Sequence, residues 1–277
     1  FIGSFWYYAD FSNYSLLIAA ILILGLTCFF DDLFKLPPLF RLSIQVFASV
    51  LAVYSGAVVY EIINPITNLP VLLGVGSMAF SVFWVVMLTN LMNFLDGVAG
   101  LSSSVGAIGF WFLFMLAFLY PNHLVDQTLV LYGSLSMAII TTVFAAFEIY
   151  PPKLLIGDSG TMFIGFMLGV FSLINGGKLA TVTLVLLIPI LDGLWIILRR
   201  IITGNSPFKG DLGHMHHKLL QIGFSEKKII VIYIILSILF GLVAVYSWNS
   251  LFKFISLILL SSGLIIFGIT VWINAKK

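Results

Sequence analysis

Long apolar stretches alternate with short polar ones along the whole chain, and the apolar stretches have bilayer-crossing length. A helix needs about 20 residues to cross the hydrocarbon core. Nine runs approach that, at roughly 12–30, 41–59, 71–92, 100–119, 128–148, 160–175, 179–198, 229–248 and 251–273. The 160–175 run is short and is expected to be tilted or broken. The expected fold is therefore all-α: a polytopic integral membrane bundle of about nine transmembrane helices. It forms one transmembrane domain over residues 1–277, with its longest inner loop at 199–228. No internal repeat or low-complexity segment interrupts it.

Composition agrees with this pattern. The chain is 61% hydrophobic and 9% charged, with mean hydropathy +1.16, whereas soluble domains carry about 25% charged residues. Lys and Arg collect on the inner side of membrane proteins. If the first helix ends inside at Asp31, the inner segments hold Lys35, Arg41, Lys153, Arg199, Arg200, Lys209, Lys218, Lys227, Lys228, Lys276 and Lys277. Only Lys178 and Lys253 of the 13 basic residues fall outside. The net charge of +2 is thus topological and gives no case for nucleic acid. The single cysteine, Cys28, excludes an intrachain disulfide. The sequence starts at Phe1 without Met or a basic n-region, so no signal peptide is expected; an N-terminal segment, with a further helix, is expected to be missing. Trp6, Tyr7, Tyr8, Trp248 and Trp272 sit where interfacial belts are expected.

Against this apolar background four polar clusters stand out, and the topology brings all of them to the inner face. Ionisable groups in hydrocarbon are costly and mark function. Asp31 and Asp32 close the first helix, where acids oppose the helix dipole and call for a nearby cation. Lys35, Arg41 or a divalent metal would serve. Asn90, Asn93 and Asp96 are spaced three apart at the inner end of the third run, forming one stripe before Gly97 and Gly100 break the chain. Interhelical packing is one reading of the asparagines; the carboxylate favours a binding role. Gly157-Asp158-Ser159-Gly160 opens the sixth run. It is a sound helix cap and also suits close approach to phosphate.

The inner loop reads RRIITGNSPFKGDLGHMHHKLLQIGF. A short helix is expected from near Asp211 to Gly223, with His214 and His217 on one face and His216 elsewhere. Structural zinc usually takes four ligands, commonly including Cys, and no Cys is at hand. Histidines beside Arg199, Arg200, Lys209 and Lys218 fit an anionic ligand such as a diphosphate better. Asp192, two turns before Arg199 and following Pro189 in an apolar helix, has a structural or supporting role.

Five segments in order, DDLFKLPPLFRL, NLMNFLDGVAGL, LLIGDSGTMFIG, PILDGLWIILRR and SPFKGDLGHMHHKLL, resemble the polyprenyl-phosphate N-acetylhexosamine-1-phosphate transferases. The likeness runs from about residue 16 to 224, and HMHH resembles the branch that starts O-antigen, enterobacterial common antigen or wall teichoic acid synthesis. It implies a bacterial inner-membrane enzyme, active on the cytoplasmic face. The implied reaction moves a sugar-1-phosphate, GlcNAc-1-phosphate by default, from a UDP-sugar to undecaprenyl phosphate and releases UMP. Mg²⁺ or Mn²⁺ is implied as cofactor, held by Asp158 with Asp32 or Asp96. Asp31, Asp32 and Asp96 are the acids implied in catalysis, by direct attack or through a covalent aspartyl intermediate. His214, His216 and His217, with Arg199 or Arg200, would clamp the UDP-sugar phosphates. Asn90 and Asn93 would line the nucleotide cleft, and Lys35 or Arg41 would meet the lipid head group. Membrane lipids surround the enzyme, and an intramembrane homodimer is allowed for. The family commonly carries a second acid three residues after the Asp96 position; here that residue is Ala99, so that carboxylate's role is unfilled. The alternatives are an ion-coupled membrane transporter, which would put its acids near mid-bilayer, and an inactive family member.

Overall fold

The computed structural model describes residues 14–120, 127–149, 151–174, 179–204, 213–247 and 249–274. His123, Lys178, Lys209, Asp211, Trp6, Tyr7, Tyr8, Trp248, Lys276 and Lys277 lie outside the described residues. The elements run α1 (Ser15–Phe34), α2 (Pro38–Tyr54), β1 (Glu61–Ile63), β2 (Pro70–Leu72), α3 (Gly76–Phe94) and a 3₁₀ turn at Leu95–Gly97. They continue with α4 (Leu101–Leu119), α5 (Thr128–Glu148), α6 (Gly157–Leu173), α7 (Leu179–Val185), α8 (Leu187–Ile202), α9 (Met215–Gln221), α10 (Glu226–Tyr246) and α11 (Ser250–Asn274). The fold is all-α apart from one hairpin, and the protein is a multi-pass membrane protein.

Every apolar run holds helix, though not every helix is long enough by itself to count as a span. Among the described residues six helices are long and apolar enough to cross a membrane, and a bent pair makes up to seven. Pro38–Tyr54 and Gly157–Leu173 are shorter apolar helices. The short run expected to be tilted or broken is unbroken, with residues 157–173 forming one helix. A break falls in the next run, where α7 and α8 meet at 78°. Pro189 explains the break. It lacks the N–H that would bond back to the carbonyl of Val185, the last residue of α7, and its ring crowds that carbonyl. The short outer loop at 61–70 is an antiparallel hairpin, pairing Glu61 with Leu72 and Ile63 with Pro70. Its turn is held by Asn64 Oδ1, which accepts from the amides of Ile66 (2.9 Å) and Thr67 (3.1 Å). Two three-residue strands are too short to leave a period in the sequence.

The contact that positions the site is the crossing of α3 and α6. A Cβ built on Gly165 would lie 2.3 Å from the carbonyl oxygen of Leu88 and 2.7 Å from Cα of Thr89. One turn on, a Cβ on Gly169 would lie 2.9 Å from Cα of Val85. Small residues four apart let membrane helices touch backbone to backbone, where dispersion and buried hydrogen bonds replace the hydrophobic effect. The crossing is locked by Trp84 Nε1, which donates to Ser172 Oγ over 2.8 Å. Both side chains are buried. The ends of α3 and α6 that carry Asn93 and Asp158 are thereby brought side by side.

Gly165→Ala should lower stability by about 1–3 kcal/mol, the usual range for overpacking. Gly263→Ala should cost little, because nothing lies within 4 Å of that position. Thermal unfolding of detergent-solubilised variants checks both; equal melting of the two would contradict the close crossing.

Candidate active site

The four polar clusters meet at one end of the bundle. Arg41, in the first turn of α2, joins two of them: its Nη1 lies 2.9 Å from Asp31 Oδ2 and 3.5 Å from Asp158 Oδ2. Asp31 also accepts the Leu36 amide at 2.8 Å and is only 6% exposed. It is occupied in holding the bend between α1 and α2, with Arg41 supplying the cation that its place at a helix C-terminus requires. The side chain of Asp158 is 49% exposed, and Asp32 is exposed as well. The hydroxyl of Ser159 donates to Asp32 and, at 2.7 Å, to the carbonyl of Cys28. Lys35 caps α1 in a left-handed conformation, φ 50°, and its side chain is exposed.

The asparagine stripe faces α2 and α6. Asn90 donates to Gln45 Oε1 at 2.7 Å, Gln45 in turn reaches Met162 Sδ at 3.3 Å, and Asn93 Oδ1 accepts from Thr161 at 2.9 Å. Asp96, on the 3₁₀ turn, is within electrostatic reach of Asp158, Glu148 and Asp32. Sequence reasoning missed Glu148 and Gln45, both buried. Glu148 accepts from Ser103 Oγ (2.5 Å) and from the Ile156 amide (2.6 Å), tying the approach to Asp158 onto α4. Its position beside Gly100 needs the glycine: φ is +85°, and a Cβ there would lie 3.2 Å from the Ile149 nitrogen. Lone polar residues in apolar helices were the signal available for both.

The histidines divide. His214 Nδ1 lies 2.9 Å from Asp192 Oδ2, and Asp192 Oδ1 accepts the Met215 amide at 2.9 Å, capping α9. His216 is fully buried with neither ring nitrogen partnered among the described residues. It packs where a Cβ on Gly97 would lie 2.3 Å from its Nε2. Burial, reinforced by His217 and His214, pushes the His216 imidazole down to about 3. Burial lowers His217 as well, with His214 adding to the effect. Arg41 and Arg200 carry positive charge at this end whatever the state of His216 and His217. Arg200 is buried, and Arg199 lies beside it in the last turn of α8.

These groups head a groove of about 1140 Å³ between α2, α3 and α8. Arg41, Asn90, Asn93, Arg200, His214 and His217 line one end, and apolar side chains continue to Tyr54 and Met78. Asp31, Asp32, Lys35, Asp96, Asp158, Arg199 and His216 are not among its lining residues.

The family model described as "Glycosyl transferase family 4" matches residues 14–176, which include three of the four clusters. The chain belongs to that family. Curated relatives of this family 4 member include the "Probable undecaprenyl-phosphate N-acetylglucosaminyl 1-phosphate transferase" of Bacillus subtilis (strain 168), 27% identical over 92% of the chain and 72% of the relative. The "Decaprenyl-phosphate N-acetylglucosaminephosphotransferase" of Mycobacterium tuberculosis (strain ATCC 25618 / H37Rv) is 30% identical over 86% of the chain. The chain spans 63% of that relative's length. The "Phospho-N-acetylmuramoyl-pentapeptide-transferase" of Staphylococcus aureus (strain Newman) is 26% identical over 66% of the chain and 55% of its own length.

A divalent ion can be tested against this family 4 site by its donors. Among the described residues no three or more His, Cys, Asp or Glu side chains close into a cage. Asp32, Asp96 and Asp158 are nevertheless hard-oxygen donors, near enough that Asp96 feels the charge of the other two, and Asp32 and Asp158 are exposed. That set fits an ion such as Mg²⁺, which keeps several waters and takes only one or two carboxylates beside phosphate oxygens.

His216 gives a pH prediction. Its unfolded imidazole protonates near pH 6.5 and the folded one only near 3. Its packing is fully stabilising above pH 6.5 and is progressively lost as pH falls toward 3. Proteolysis of the 213–224 segment should accelerate over that window in the parent, and His216→Gln should flatten the pH dependence. Identical acid profiles would count against a buried neutral His216.

Proposed function

We propose that this chain transfers an N-acetylhexosamine-1-phosphate, GlcNAc-1-phosphate by default, from a UDP-sugar to undecaprenyl phosphate on the cytoplasmic face of the bacterial inner membrane. One observation carries the reading: a long apolar groove headed by Arg41, Arg200 and two histidines opens beside half-exposed Asp158. A polyprenyl phosphate has that form, an anionic head on an apolar tail. The names of the relatives support the same acceptor class.

In this reaction a phosphate oxygen of the lipid attacks the sugar-bearing phosphorus of the UDP-sugar. The pyrophosphate bond breaks, UMP leaves with the bridging oxygen, and the lipid retains a pyrophosphate-linked sugar. Both substrates are anions, so charge neutralisation and alignment dominate catalysis. Arg41 and Arg200 offset the lipid phosphate at the head of the groove. Asn90 and Asn93, fixed by Gln45 and Thr161, give the cleft a rigid polar wall. Among the acids, Asp158, Asp32 and Asp96 are left to face substrate, while Asp31 holds Arg41 in place. Asp158 with Asp32 and Asp96 would hold Mg²⁺ or Mn²⁺, which supplies a Lewis acid for phosphate oxygens.

UMP release should require undecaprenyl phosphate, a divalent ion and one member of a panel of UDP-sugars. Asp158→Asn should reduce turnover at least about 100-fold, in line with losing an electrostatic catalytic group, while its elution and melting stay at parent values. Parent-level turnover in that variant would sink the assignment of Asp158.

A further inference from the structure

Asp192 is a buried acid that the reaction above does not use. It stands in α8 just after the Pro189 break, 8% exposed, and close enough to Tyr233 and His217 to act on both electrostatically. Both oxygens are committed: Oδ2 to His214 Nδ1 and Oδ1 to the amide of Met215, each at 2.9 Å. A carboxylate only accepts, so His214 Nδ1 must be the protonated nitrogen. Nε2 is then the ring nitrogen left for a ligand, and the orientation of the ring is set by its carboxylate partner. Phe94 supports it further, its ring centroid 5.2 Å from that of His214. His214 is 7% exposed, and it lines the groove at the end where Arg41 and Arg200 stand.

We propose that Asp192 is a positioning residue for the acceptor. It holds His214 in the Nδ1–H tautomer, so that Nε2 meets the lipid phosphate at the head of the groove. This rests on the acceptor assigned above. Nε2 accepts a hydrogen bond from the phosphate in its singly protonated form, orienting an oxygen that the arginines alone would hold only by charge. The groove commits the pair to the lipid and not to the nucleotide sugar, because beyond Gln45 and Asn90 its lining is apolar all the way to Tyr54 and Met78. The same carboxylate caps α9, so the bent helix and the histidine segment move as one piece.

Asp192→Asn separates these duties. The amide oxygen can still accept from Met215, but the amide nitrogen is a donor and disfavours Nδ1–H, which drives His214 toward the Nε2–H tautomer. In the full chain reconstituted in nanodiscs, KM for undecaprenyl phosphate should rise about 10-fold or more, the usual cost of removing a group that orients an imidazole. KM for the UDP-sugar should stay within about twofold, well inside that effect. Asp192→Glu should recover part of the loss, and Asp192→Asn combined with His214→Ala should be no worse than His214→Ala alone. Imidazole ¹⁵N shifts of His214, recorded without substrate, should report Nδ1–H in the parent and Nε2–H in Asp192→Asn. An unchanged tautomer, additive losses in the double variant, or a KM change confined to the UDP-sugar would each overturn the proposal. Absence of turnover in the parent would fail the transferase reading instead, and the nitrogen shifts would still decide the Asp192–His214 pairing.

Discussion

Everything at the polar end of this bundle depends on how closely α3 and α6 approach. Membrane helices gain little from hiding apolar surface, since lipid is as apolar as a neighbouring helix. A crossing must be held by contact, and here Gly165 and Gly169 allow backbone to meet backbone. Once that is fixed, Thr161 falls within reach of Asn93, and Asp158, on the same end of α6, lies 3.5 Å from Arg41 of α2. A side chain at either glycine would push Thr161 and Asn93 apart. The site is thus built from the middle of the membrane outward.

Charge at this end is arranged by division of labour among similar residues. Adjacent acids have opposite fates: Asp31 is buried against Arg41 and an amide, while Asp32 stays exposed beside Ser159. The histidines divide in the same way, since His216 is packing and His214 and His217 reach the groove. Partnership decides each case: buried Asp31 and His214 each have a partner, whereas buried His216 has none among the described residues. An ionisable group surrounded by protein must find a partner or lose its charge.

The helical class and the convergence of the four clusters were legible because apolar length and basic asymmetry are strong signals. His216 does separate from His214 and His217, but not by the helical spacing expected, since the helix begins at Met215 and His214 precedes it in extended conformation. The location of the break was not legible. Pro189 was visible, but the run it breaks keeps the length and hydropathy of a single span, and a missing N–H leaves no mark on hydropathy. The hairpin at Glu61–Leu72 left no trace, being too short for alternation to show. Glu148 and Gln45 were overlooked because each is a single polar residue, and only the packed structure reveals what it ties together. The partner of Asp192 lies 22 residues away, past a loop, where no helical period connects the two.

The groove also has a missing wall. Leu39, Phe83, Leu194 and Ile197 on its rim are 70%, 61%, 47% and 40% exposed, so it is open sideways to whatever surrounds the helices. In a bilayer that surrounding is lipid. A ligand lying there arrives by diffusion in two dimensions, and its effective concentration is a mole fraction among lipids, not a molarity in water. Ordinary phospholipid tails compete for the same space at every moment. Occupancy of such a groove falls as inert lipid or detergent is added, even when the total amounts of protein and ligand are unchanged.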